Sequence, residues 1–127
     1  MADNLPNIIE NQLLDALVGT SAYSVTTPVK LALMTANGSD SAPGTEVTGG
    51  SYARKTITFS SATSGSIANA SAISFTGMPA CTVVGIEIWD SAGSPKRLAY
   101  GPLTNSRAVT SGDTVQFAIS AVTLSLS

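Results

Sequence analysis

Residues 44–59 read GTEVTGGSYARKTITF, and the rest of the chain is organised around them. Gly49 and Gly50 supply the positive-φ backbone that a sharp corner needs and that a residue with a Cβ adopts only at a cost. From Tyr52 onward the side chains alternate. Ala53, Ile57 and Phe59 take one face, interrupted by Lys55; Tyr52, Arg54, Thr56 and Thr58 take the other. That is the period of a half-buried strand. The stretch therefore predicts a fixed corner feeding a strand of an all-β domain. Arg54 is a positive charge on a Thr-rich face beside Tyr52. It pairs either with Glu46 or another acid inside the fold, or across an interface.

Upstream, residues 5–18 carry a helical pattern, with Leu5, Ile9, Leu13, Ala16 and Leu17 at three- and four-residue spacing. Asn7 and Glu10 have the spacing of a capping box, and Asn4 ahead of Leu5 and Pro6 offers an earlier start. Gly19 stands where a C′ glycine belongs. Ile8, Leu14 and Val18 widen the apolar stripe, so the helix either caps one end of the domain or also touches a neighbouring subunit. Pro28 closes a linker over 20–28 and leads into a strand at 29–35 with both faces largely apolar. Residues 36–50 form a long Gly/Ser/Asp/Pro connection, the kind of loop that carries contacts.

Downstream, Ile67, Ile73 and Phe75 mark a strand at about 68–76. Residues 82–90 form the strongest strand, with Val84, Ile86 and Ile88 on one face and Val83, Gly85, Glu87 and Trp89 on the other. The Glu87–Trp89 face reads as part solvent or part interface. A loop at 91–96 returns the chain along 97–103, giving an antiparallel hairpin over 82–103. Val115, Phe117 and Ile119 alternate, but Val122, Leu124 and Leu126 have the opposite parity. A bulge or bend is therefore expected at Ser120 and Ala121. About seven to eight short strands separated by turns predict an antiparallel β-sandwich, jelly-roll or Ig-like, with one N-terminal helix. At 127 residues the chain is expected to form one domain over 1–127.

Composition narrows the chemistry. The chain has no histidine, which removes the Ser-His-Asp triad, the Cys-His pair and His-ligated metals. Its eight acids are scattered, and Glu87 and Asp90 point opposite ways rather than forming a glycosidase pair. Asp40 and Asp113 lack the spacing of a calcium loop. Cys81 is the only cysteine and reads as a buried, inert thiol. No catalytic, cofactor or metal residues are expected, and the chain reads as a non-enzyme.

Charged residues make up 11% of the chain and the net charge is −2. Six cations without a basic face argue against nucleic acid and against acidic membranes as partners. No apolar run approaches the ~20 residues of a membrane span. The first residues lack a secretory pattern, and the chain is expected to be made in a reducing cytoplasm. Ser and Thr form about a quarter of the residues. Such a surface makes hydrogen bonds with neighbours without the desolvation cost of Lys and Glu. Trp89 with Tyr100 reads either as a sugar-stacking platform or as a buried or interface aromatic pair.

Five segments, LDALVG at 14–19, TPVKLALMT at 27–35, GTEVTGGSYAR at 44–54, VGIEIWD at 84–90 and SGDTVQF at 111–117, resemble a family of small bacteriophage virion structural proteins. The resemblance covers nearly the whole chain, and GGSYAR is its most specific part. Ser120 and Ala121 depart from it where a glycine is expected. The resemblance implies a virion location, with members labelled tail fibre or similar to head decoration (cement) proteins. The leading expectation is a capsid decoration protein that binds the outer surface of the head and stabilises it. The alternative is a tail-fibre or receptor-binding module that contacts host surface glycan. The expected partners are the major capsid protein or sister copies, in a homo-oligomer such as a trimer. Leu5, Ile8, Leu14, Glu46, Tyr52, Arg54 and Trp89 are the candidate interface residues, together with the 36–50 loop.

Overall fold

In the computed structural model of the protein, residues 5–126 are described. They form one helix, α1 (Asn7–Leu17), and nine strands: β1 (Lys30–Ala36), β2 (Thr45–Glu46), β3 (Lys55–Thr56), β4 (Ser66–Ala68), β5 (Ile73–Phe75), β6 (Cys81–Trp89), β7 (Arg97–Val109), β8 (Val115–Phe117) and β9 (Thr123–Ser125). The all-β character with a leading helix stands. The jelly-roll or Ig-like sandwich does not. A sandwich needs two multi-stranded sheets face to face, whereas here only one sheet is large. It is open, runs β2-β1-β6-β7, and carries β3 on β1. The remaining strands make two separate two-stranded ribbons, β4-β9 and β5-β8.

The expected strand at 68–76 fails for a local reason. The chain breaks at Asn69, whose side-chain amide donates to the carbonyls of Ser71 and Ala118 at 2.8 and 2.9 Å. Its oxygen accepts from the Val122 amide at 2.9 Å. One buried Asn thus ties three segments and separates β4 from β5, each with its own partner. The expected bend at Ser120 is present, with Ser120 at φ 66°. Val122 behind it is fully buried, while Ile119 ahead of it is exposed rather than inward.

The sheet is buried on both faces. On one, Leu31, Leu33, Ile86 and Ile88 join Phe75, Phe117, Val115 and Val122 of the ribbons and bends in a single apolar cluster. Phe75 meets Phe117 edge-on with ring centroids 6.3 Å apart. On the other face Ala32, Met34, Glu87 and Tyr100 are buried outside that cluster. Two irregularities of β7 shape these faces. Residues 103–106 loop out between Arg107, opposite Val83, and Pro102, opposite Gly85. Val83 rather than Val84 therefore faces the core, reversing the expected parity at that end. Leu98 is a one-residue bulge between Ala99, opposite Ile88, and Arg97, opposite Trp89. The bulge turns Arg97 onto the same face as Tyr100, the re-aiming that bulges perform.

The corner at Gly49 and Gly50 is as read, with φ of 105° and 56°. The strand after it is only two residues long, so alternation does not govern 51–54. Tyr52, expected on the polar face, stacks on Phe75 at 5.9 Å and packs against the core. Its hydroxyl accepts from the Leu33 amide at 3.0 Å, filling the gap on β1 between β2 and β3.

The helix begins at Asn7, not at a capping box. Pro6 is the N-cap, and its carbonyl accepts from the amides of Ile9 and Glu10. Asn4, the alternative start, lies outside the described residues. The C-terminal end follows the reading. Gly19 at φ 82° lets its own amide reach the Ala16 carbonyl and the Thr20 amide reach the Asp15 carbonyl at 2.8 Å. That pair of bonds is the Schellman motif.

Candidate functional site

Glu87 is the hub of the second face. It was expected beside solvent or an interface but is only 1% exposed. Its Oε2 accepts from the Gly44 amide at 2.7 Å and the Arg97 guanidinium at 3.2 Å, and its Oε1 from the Trp89 indole at 3.1 Å. Arg97 also donates to the Ser39 carbonyl and lies 4.5 Å above the Tyr100 ring. The Tyr100 hydroxyl donates to Asp40, whose carbonyl accepts from the Asn7 amide at 3.2 Å. The hydrogen bond to Asp40, with burial behind it, pushes the Tyr100 phenol up to about 12. The part of the 36–50 connection that was expected to bind a partner is thus tied down internally, over the sheet and against the start of α1. Gly44 is required there because a Cβ would overlap the Ala36 carbonyl.

At the β1 edge, Glu46, Tyr52, Arg54 and Trp89 meet, as four of the candidate interface residues. The Arg54 guanidinium donates to both Glu46 oxygens at 2.9 and 3.0 Å, and the Tyr52 hydroxyl donates to Glu46 at 2.7 Å. Arg54 also lies 4.4 Å from the centre of the Trp89 ring. Burial alone would raise the Glu46 carboxyl, but the Arg54 and Tyr52 hydrogen bonds and the Arg54 charge outweigh it and hold it low. Burial, then the bond to Glu46, raises the Tyr52 phenol. The pair within the fold, one of the two readings of Arg54, is present. The constellation is a rigid, part-exposed Arg/Trp/Tyr patch, the composition of interface hot spots.

The same geometry removes the Trp89–Tyr100 sugar platform. Trp89 and Tyr100 do not pair with each other, Tyr100 is 7% exposed, and each ring carries a guanidinium. Cys81 is part-buried rather than fully buried, and burial raises its thiol. Among the described residues no group of three or more acids and cysteines is placed to hold a metal ion, and no helix is long and apolar enough to cross a membrane.

The other candidates lie on α1 or, for Leu5, just ahead of it, and do not join the patch. Leu5 is part-buried and packs against the core, whereas Ile8 and Leu14 are exposed. Ile9 is the only buried residue of the helix. Leu17 and Val18, 79% and 75% exposed, extend the uncovered apolar surface. A groove of about 720 Å³ runs between the helix and the chain end, lined by Leu5, Leu13, Leu14, Leu17 and Leu126, with Glu10 its one charge. Leu17 and Leu126 were readable from the apolar pattern, but their exposure was not, because it depends on what the fold fails to cover.

A family profile described as Gp80, podophage GP4 fiber I protein gp80, matches residues 4–125. No curated protein matches the chain.

Proposed function

The chain belongs to this family of phage fiber proteins, and from that premise we propose that it is a fiber subunit which assembles with sister copies and contacts host surface glycan. It is a structural protein of the virion and not an enzyme. The match across residues 4–125 carries the reading, because the description names a fiber. The head-decoration reading rests on the low-charge, Ser- and Thr-rich composition, the short chain and the apolar helix, all of which a fiber subunit can share.

The assembly surface is α1. Leu14 and Leu17 of α1, Val18 at its C-cap and Ile8 nearer its start are exposed without a partner in one chain, and exposed apolar residues grouped in this way mark contact sites in soluble proteins. A second copy is the proposed occupant, because the surface carries almost no charge to select a different partner and fibers are built of repeated chains. The rigid Arg54–Trp89 patch is the proposed contact to a neighbouring fiber component.

Cryo-electron microscopy of the virion tests the location: density for this chain is expected in the tail fibers, and density confined to the head lattice would overturn the fiber assignment. Light scattering on the purified protein tests assembly, with a closed oligomer such as a trimer expected and a monomer at high concentration counting against it.

A further inference from the structure

A second cleft opens between β7 and β8 and holds about 330 Å³. β7 pairs only with β6, and β8 only with β5, so no strand ladder closes the space between them. One wall is the segment over 103–106 that loops out of the β6–β7 register, continuing to Arg107. The other is β8 and the chain after it, through Ala118 and Ala121. Val115 and Phe117 belong to the core cluster, and Leu103 and Ala121 pack part-buried against it, so the floor is apolar. Exposed Thr104, Asn105 and Ser106 make a polar rim. Ile119, one residue beyond Ala118, is exposed as well. An apolar floor inside a polar rim is the anatomy of a protein contact.

The cleft and α1 are complementary in charge. Arg107 is the one charged residue of the cleft lining, is exposed, and has no ion-pair partner among the described residues. α1 carries Glu10 and Asp15 and no base. Glu10, Leu14 and Leu17, at four- and three-residue spacing, share one face of the helix, and all three are exposed. Glu10 is also the one charge of the groove beside that face. Each surface thus combines apolar side chains with a single charge, and the two charges are opposite. α1 against α1 would instead bring acid to acid, which disfavours the pairing.

We propose that α1 of one copy docks in the β7–β8 cleft of the next, with Leu14 and Leu17 over the cleft floor and Glu10 paired with Arg107. The inference rests on the assembly part of the function proposed above and names the surface that receives the helix. An amphipathic helix laid in an apolar groove is a recurring recognition mode, anchored by residues at this spacing. The cleft takes leucine side chains rather than the whole helix, so the contact is made by side chains entering a hollow. The helix groove and the cleft share no residue, so the contact is heterologous, and each copy gives a helix and receives one. Contacts of this kind close into a ring when the rotation between copies allows it. A closed trimer built this way covers every α1 face and every cleft.

Sedimentation velocity on the full chain tests it. Glu10→Arg and Arg107→Glu are each expected to weaken self-association roughly tenfold or more, and the double variant to regain it. Both positions are exposed, and unchanged far-UV circular dichroism confirms the fold. A second comparison does not depend on charge. Ala118→Trp fills the cleft and leaves the helix intact, while Leu14→Glu with Leu17→Glu spoils the helix face and leaves the cleft. Each is expected to be monomeric alone, and the two mixed are expected to form a one-to-one dimer that does not grow. Wild-type association by Ala118→Trp and by both charge variants would overturn the cleft as the seat of α1. If the Leu14, Leu17 variant alone then fails to associate, α1 remains the assembly surface, seated on another occupant. If the wild-type chain stays monomeric at high concentration, the contact and the assembly reading fall together. If the charge swap restores association while virion density for the chain lies on the head, the contact stands and the fiber reading falls.

Discussion

Glu87 and Arg97 face each other at 3.2 Å across β6 and β7, with side chains only 1% and 7% exposed. A buried pair of this kind contributes little over an apolar pair, yet leaving one charge alone is costly. We expect Arg97→Met to destabilise the protein by about 3–5 kcal/mol and to release the loop over residues 37–44 from the sheet. Glu87→Gln combined with Arg97→Met should recover part of that loss. Urea denaturation of the two single variants and the double variant measures both effects, and strict additivity would refute the coupling.

Gly44 and Gly93 form a matched test of close approach. A Cβ on Gly44 would meet the backbone of residues 36–38, whereas nothing lies within 4 Å of one on Gly93. Gly44→Ala should cost about 3 kcal/mol and Gly93→Ala about 0.5 kcal/mol or less. Equal denaturation midpoints for the two variants would contradict the packing of the loop onto Glu87.

The Glu46 carboxyl is held below its ordinary value in the fold. Its contribution is therefore complete above the unfolded value of about 4.3 and is lost as pH falls through the lower folded value. Replacing Glu46 by Gln should cost about 1 kcal/mol at pH 7 and should flatten the acid limb of a stability-versus-pH curve. An unchanged acid limb in the variant would show that another carboxylate governs it.

All three tyrosines, Tyr23, Tyr52 and Tyr100, have phenols raised by their surroundings. The folded protein should therefore show no phenolate absorbance step at the ordinary value of about 10, whereas the urea-unfolded chain should titrate there. The associated stability is held below the unfolded value and is lost as pH rises, for Tyr100 toward about 12. A single tyrosine titrating near 10 in the native state would remove one of these three hydrogen-bonded or buried environments.

Leu14 and Leu17 are exposed on α1, so the double change Leu14→Glu, Leu17→Glu should leave monomer stability within about 0.5 kcal/mol. Self-association should weaken strongly, as read by sedimentation. A large fall in monomer stability would mean that the helix face is packed within its own chain.

Several elements were legible in sequence because they depend on neighbours along the chain. Gly19 marks the helix end, Gly49 and Gly50 the corner, and the parity change after Ile119 the bend at Ser120. The alternation of Leu31 and Leu33, or of Ile86 and Ile88, likewise needs only the pleat of a strand. The hairpin over 82–103 follows from its turn. The Glu46–Arg54 pair was within reach because the two residues flank one short corner.

The tertiary structure alone decided how these pieces were joined. Alternation reports which face a residue takes, but it is silent on which strands share a sheet, so the sandwich was replaced by one open sheet and two ribbons. Asn69 split an expected strand through bonds to Ala118 and Val122, about fifty residues away. The Leu98 bulge brought Arg97 onto Glu87, turning a face expected to meet solvent or an interface into a buried polar hub. Burial is a property of what arrives from elsewhere in the chain, and no local pattern carries it. The sequence determined the family, the all-β character, the corner and the helix end, while the fold decided that the Glu87 face closes inward and the α1 face stays open.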